Sequence, residues 1–402
     1  MQTSTWRKPV FVIIAGCLIA MIGFGTRSSL GLFLDPMTEA RGWSRETFGL
    51  ALAIQNLFWG LGLPIAGALT DKLGASRVII AGALTYALGL YLMSTVESAS
   101  IIYLTAGVLS GVGIAFSAFS LALAAMVKVV GPEKRTIVLG LGTAASSLGQ
   151  VIFSPMAQSL IDSAGWSSAL TVIALCVLLI IPLAFVLPSI IAAESRQSVD
   201  QTLRDALAEA FAQRGFVLLT VGFFVCGFHV AFITVHFPAY VNDLGLDRSI
   251  GWYSLSLIGL FNIVGSFLAG FIGQRYSKKL GLSWIYFLRA ILITALMLSP
   301  KTPMVILIFA SAMGILWLST VPLTTGIIAQ VFGVRYMATL FGLVFLSHQL
   351  GSFLGVWLGG ALYDATGSYD GMWWAGVVLG LLAAVIHMPI NEKPLARLQV
   401  LA

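Results

Sequence analysis

Apolar residues run along this chain in twelve stretches separated by short polar turns. They cover 10–34, 46–70, 77–95, 100–127, 135–160, 167–190, 215–241, 249–273, 281–299, 303–330, 335–362 and 371–389. A helix needs about 20 residues to cross roughly 30 Å of hydrocarbon. An open sheet edge would leave backbone groups unpaired in lipid, so each stretch is predicted to be a transmembrane helix. The longest polar interval, Glu194 to Arg214, follows the sixth stretch and divides the set. Within it Val199, Leu203, Leu207 and Phe211 recur four apart, the pattern of an amphipathic helix lying on a membrane face. The expected organisation is an N-terminal six-helix bundle (1–192), a linker (193–214) and a C-terminal six-helix bundle (215–402).

Composition agrees: 58% of the 402 residues are hydrophobic and 9% charged, against about 25% charged in soluble proteins. The span cores hold two of the 22 Lys/Arg, Arg27 and Arg289, and none of the 16 Asp/Glu. Of the other basic residues, 16 fall on the side of the N-terminus and four opposite: Arg41, Arg45, Arg248 and Lys301. The positive-inside rule then puts both termini in the cytoplasm. Basic residues so distributed make the net charge of +6 a topology signal and give no reason to expect nucleic acid as a partner. Compact loops point to a bacterial inner membrane. No cleavable signal is expected, because Arg27-Ser28-Ser29 interrupts the first apolar run. Cys17, Cys176 and Cys226 lie at no metal or disulfide spacing and read as small packing residues. Phosphate-loop, zinc-protease, hydrolase-elbow and dinucleotide motifs are absent, and the four His are scattered. Neither an enzyme nor a metal or cofactor site is expected.

The halves repeat at an offset of 202. Gly131, Gly140, Gly149, Asp162 and Gly165 find Gly333, Gly342, Gly351, Asp364 and Gly367. Two six-helix halves related in this way, with a site between them near midplane, form the plan in which the halves rock about a substrate.

Between spans 2 and 3 the chain reads Gly67-Ala-Leu-Thr-Asp71-Lys72-Leu-Gly74-Ala-Ser-Arg77, with a degraded copy, Gly270-Phe-Ile-Gly-Gln274-Arg275, in the second half. The first resembles the GxLxDxxGxxx(R/K) signature of the major facilitator superfamily. The resemblance covers essentially the whole chain and implies an all-α fold of twelve transmembrane helices in two pseudo-symmetric bundles. Gly67, Asp71, Gly74 and Arg77 would then form a conformational latch, with Asp71 at a helix N-terminus and Arg77 paired across the loop. Span 5, Gly140-x-Gly142…Gly149-Gln150…Ser154-Pro155, and span 11, His348-Gln349-Leu-Gly351-Ser-Phe-Leu-Gly355, together resemble the oxalate:formate antiporter and monocarboxylate transporter group. That group implies small carboxylate cargo. The chain departs from it in span 8, with Asn262 and Ser266 where an acid and an arginine are usual, and in span 4, with Gly107 before Gly111-Val-Gly113. The GPxxGG motif of drug antiporters is missing from span 5.

A charge at the bilayer centre costs about 2.5–3.5 kcal/mol on insertion scales. A buried cation with no intramembrane carboxylate suggests that the missing anion is the cargo. Arg27 is the expected anchor, since its planar fork of donors matches a carboxylate; the other reading is a structural cation on the carbonyls of a broken helix. Arg289 either joins it or pairs structurally. His348, the repeat image of Ser146, and His229, near the image of Arg27, would complete the site or carry a proton. Asn262, Gln150, Trp317 and Phe116 are candidate cavity walls. The expected protein is a secondary active transporter, most simply a monomer. It moves a small mono- or dicarboxylate across the bilayer by proton symport or anion exchange. An exporter or importer of a larger amphipathic molecule and a transporter-like sensor are the alternatives.

Overall fold

A computed structural model describes residues 8–130, 134–187, 202–333 and 336–396, the side chains of Asp71, Arg135 and Thr136 excepted. Eleven helical segments among them are long and apolar enough to cross a membrane. They are span 1 (Pro9–Arg41), span 2 (Arg45–Thr70), span 3 (Ala75–Thr95), span 4 (Ala99–Val127), a double segment (Ile137–Val186), span 7 (Arg214–Asp243), span 8 (Arg248–Arg275), span 9 (Lys278–Leu298), span 10 (Pro303–Phe332), span 11 (Met337–Thr366) and span 12 (Asp370–His387). The double segment turns at Gly165, whose φ of 78° and ψ of 160° end one helix and start the next. Spans 5 (137–164) and 6 (166–186) therefore complete twelve. Gly367 marks the same place in the second half, with φ 71° at the turn between spans 11 and 12.

The repeat is a set of equivalent crossings. Gly25 lies on Gly149 where span 1 crosses span 5, and a Cβ on Gly149 would run into the Met21 carbonyl. At an offset of 202, a Cβ on Gly227 would meet the His348 carbonyl and one on Gly351 the Phe224 carbonyl, where span 7 crosses span 11. Small residues let the backbones approach closely, which is how helices associate when lipid offers no hydrophobic contrast. Gly131, the remaining landmark, lies outside the described residues.

Spans 4 and 10 are discontinuous at matching positions. Span 4 carries a π-helical stretch, Tyr103–Leu109, and breaks at Ser117 and Ala118, where Ala118 adopts φ −55°, ψ 139°. Span 10 breaks between Leu316 and Thr320. Irregular backbone at membrane depth survives only where protein or a cavity satisfies it.

The linker helix is Leu203–Ala212, opened by a reciprocal Thr202–Asp205 capping box; Val199 lies outside the described residues. The face turned to the protein is an alanine face. Ala206 and Ala210 are buried, whereas Leu203 and Phe211 are exposed. Two alanines let the helix lie close against the C-terminal half, with Leu207 packed on that half's core and Phe211 edge-on to Phe216, and Leu203 and Phe211 form an apolar outer edge.

Replacing Gly351 by Ala should lower the melting temperature of the detergent-solubilised protein, with a cost of about 1–3 kcal/mol for overpacking. Gly342→Ala, where a Cβ meets nothing within 4 Å, should leave it unchanged. Equal shifts in a thermal-stability assay would refute the crossing geometry.

Candidate functional site

The tight span 1–span 5 crossing turns Arg27 toward spans 2 and 4. The side chain is 9% exposed. Its Nη2 donates to Asn56 Oδ1 at 2.6 Å, and Asn56 Nδ2 donates to Leu52 O at 2.8 Å, which holds the amide oxygen toward the cation. The guanidinium lies 4.7 Å above the Trp59 ring, a favourable placement for a desolvated cation. Its Nε has no partner, and none of the three ion pairs among the described residues includes it. Ser117 and Ala118, at the break in span 4, line the same cavity as Arg27.

Aromatic contacts lead from this cation across to the other half. Trp59 meets Phe345 of span 11 edge-on, with centroids 5.2 Å apart. Phe345 stacks on His348 at 5.5 Å, nearly coplanar. His348 Nδ1 lies 3.0 Å from Gln349 Oε1 and the ring is buried. The structure therefore joins Arg27 and His348, one from each half, through Trp59 and Phe345.

Arg289 is fully buried and answered differently. Its Nη2 donates to the carbonyls of Leu316, at 2.6 Å, and Trp317, which the break in span 10 leaves free. Here a cation closes the C-terminal end of a half-helix, the end that favours positive charge. His229 Nε2 lies 2.8 Å from the Gly376 carbonyl of span 12, inside the C-terminal bundle. Trp317 is buried beside Arg289. Phe116 packs on Gly82 of span 3 and does not line the Arg27 cavity. Asn262 donates to Ser147 Oγ at 2.8 Å and accepts from Leu318 N at 3.0 Å, so it ties span 8 to span 5 and to the break in span 10. Gln150 Nε2 donates to Leu255 O at 2.9 Å across the same seam. Ser146 Oγ turns back to Gly142 O in its own helix.

The charged links between halves lie at the membrane face opposite the termini. Arg45, at the start of span 2, donates to Asp35 at 3.0 Å and to both carboxylate oxygens of Asp243 in span 7. Its guanidinium lies 3.9 Å above the Tyr363 ring. Asp364, at the end of span 11, accepts from the backbone N–H groups of Arg45 and Glu46, at 3.1 and 2.7 Å, and so caps span 2 from the other half. Trp357 Nε1 donates to Glu46 at 3.0 Å. The repeat image of this cap is not made: Asp162 accepts from Gln158 in its own helix, and Asp247 caps span 8. At the termini's end of the span 2–span 11 seam, a Cβ on Gly67 or Gly342 would meet open space. Gly74 turns between spans 2 and 3 at φ 85°. Arg77 is exposed and the Asp71 side chain lies outside the described residues, so the latch anticipated on that loop is not among the links observed between the halves. Arg45, Asp243 and Asp364 escaped the sequence reading because charges at span ends look like solvated termini. Asp364 alone carried a signal, as a repeat landmark.

A family model described as Major Facilitator Superfamily matches residues 16–317 and 248–399. The chain belongs to that superfamily. An uncharacterized MFS-type transporter, YcxA, of Bacillus subtilis is 23% identical over 99% of this chain and 98% of its own. Monocarboxylate transporter 13 of Rattus norvegicus is 26% identical over 89% of this chain and 83% of its own. Among solved structures, a bacterial homologue of the human lysosomal transporter Spinster, in an inward-facing and unoccupied conformation, shares the fold. Its TM-score is 0.76 at 14% identity, covering 96% of this chain and 97% of that one. The protein is thus a multi-pass membrane transporter of this superfamily and not an enzyme.

Spin labels at Ala40→Cys and Ala365→Cys, in a background free of native cysteines, should report a longer mean distance when Arg45→Gln is added. An unchanged distribution would mean that Arg45 does not hold this face closed.

Proposed function

We propose that the transporter moves a small organic anion, a mono- or dicarboxylate, by alternating access, with Arg27 as the anchor of its anionic group. The observation that carries this reading is the state of Arg27: buried, held by a neutral amide and an aromatic face, with a donor left free and no carboxylate in reach among the described residues. Arg289 differs in its acceptors: its Nη2 donates to two backbone carbonyls of the broken span 10, while its Nε and Nη1 have no partner and it does not line the Arg27 cavity. Bound cargo neutralises Arg27 and makes an occluded state less costly to reach. His348, joined to Arg27 through two aromatic rings, is the C-terminal half's contribution and the group that would carry a coupled proton. Coupling is by proton symport or anion exchange. The excess of basic residues on the side of the termini supports cytoplasmic termini, and the compact loops support a bacterial inner membrane. The clasped face is then the outer one, and this conformation is closed to the outside. A similarity to monocarboxylate transporter 13 supports the same substrate class.

Uptake of radiolabelled carboxylates into proteoliposomes tests it. Arg27→Gln should reduce uptake more than tenfold, and Arg27→Lys, which keeps the charge without the planar fork, should retain a part. Wild-type uptake by Arg27→Gln would end the claim that this residue anchors cargo.

A further inference from the structure

Beside Arg27 the cavity is lined by Trp59, Tyr86, Phe24, Phe119 and Ile114. Two of these carry buried polar atoms that have no partner, the Trp59 indole Nε1 and the Tyr86 hydroxyl, and the Arg27 Nε is a third. All three belong to residues of spans 1, 2 and 3 facing one space. A buried donor without an acceptor costs free energy, and native interiors rarely leave several together. Arg27 Nε and Trp59 Nε1 can only donate, and Tyr86 donates through its hydroxyl. Among the described residues no acidic side chain lines the cavity. An occupant that brings acceptors would satisfy all three, and the Arg27 charge opposes a cationic or ammonium-bearing group in the same space.

The remaining lining sets the rest of the occupant. Phe24 and Phe119 stand edge to face with centroids 6.4 Å apart, both half-buried. Phe119 follows directly on the break in span 4, and Ile114 lies just before it. No second cation lines the space, and Arg289 is committed to span 10. A second carboxylate would thus be desolvated against aromatic rings without a partner.

We infer that Trp59 and Tyr86 are substrate ligands, donating with Arg27 to a single anionic head, and that Phe24 and Phe119 receive an apolar, aromatic or branched tail. This inference rests on Arg27 being the anion anchor and narrows the cargo to acids with one charged end. Small acids lacking a tail and dicarboxylates fall outside it.

The test is direct binding to the full-length purified protein, using phenylacetate, propionate, succinate and phenethylamine as probes. Wild type should bind phenylacetate at least tenfold more tightly than propionate or succinate and should not bind phenethylamine. Trp59→Phe and Tyr86→Phe, which keep the rings and remove one donor each, should each weaken phenylacetate about tenfold while apo melting temperatures stay near wild type. Two variants on different spans guard against one folding poorly. Succinate binding as well as phenylacetate, or both variants binding at wild-type affinity, would overturn the inference while leaving the anion reading intact. If no acid binds wild type and Arg27→Gln behaves identically, the anion reading fails and this inference with it.

Discussion

A guanidinium at membrane depth draws its acceptors from neighbouring helices or from what a cavity admits, because lipid has none to offer. The chain holds two such groups with no acid in the cores of its spans, and its helices are shaped around them. Span 10 gives up backbone continuity, and the carbonyls it frees hold Arg289. Span 4 breaks at the matching place, but there the cation comes from span 1 and donates its hydrogen bond to Asn56. One charge is held on the carbonyls of its own bundle's broken helix. The other lies beside a cavity with a donor unspent.

Close packing makes these placements possible. Where spans 1 and 5 cross, and where spans 7 and 11 cross, glycine is opposed to backbone at positions 202 apart. Each crossing fixes the rotation of a cavity-facing helix, so that Arg27 and the His348–Gln349 pair are set by backbone contact more than by their own bonds. Asn262 and Gln150 then join the halves along spans 5 and 8 with hydrogen bonds fully inside the protein. Polar residues read in isolation as cavity walls are therefore fasteners.

Much of this was legible in the chain itself. Twelve apolar runs, a polar interval after the sixth, and five landmarks at one offset describe two bundles without coordinates, since span length and turn glycines are local properties. Arg27 stood out because a charge inside an apolar run has no local excuse. What was not legible depends on partners far apart in sequence. Asn56 and Trp59 are neighbours of Arg27 only after folding, and Tyr86 gains its meaning from a hydroxyl left without an acceptor. For Arg289 the sequence left open whether it joins Arg27 or pairs structurally, and the break in span 10 shows where its Nη2 donates. In the linker helix the stripe of larger apolar residues was legible, but the close approach of Ala206 and Ala210 was not, because it depends on the half they pack against.

The cap made by Asp364 on span 2, and its missing counterpart at Asp162, shows what a duplicated architecture permits. With two copies of every device and a need for one, each copy is free to lose what the other retains. Here the second half kept the carboxylate that bridges to its neighbour and a cation that mends its own helix, while the first kept the cation that stays available. Division of labour between once-equal halves gives a nearly symmetric framework a cargo-facing side and a holding side.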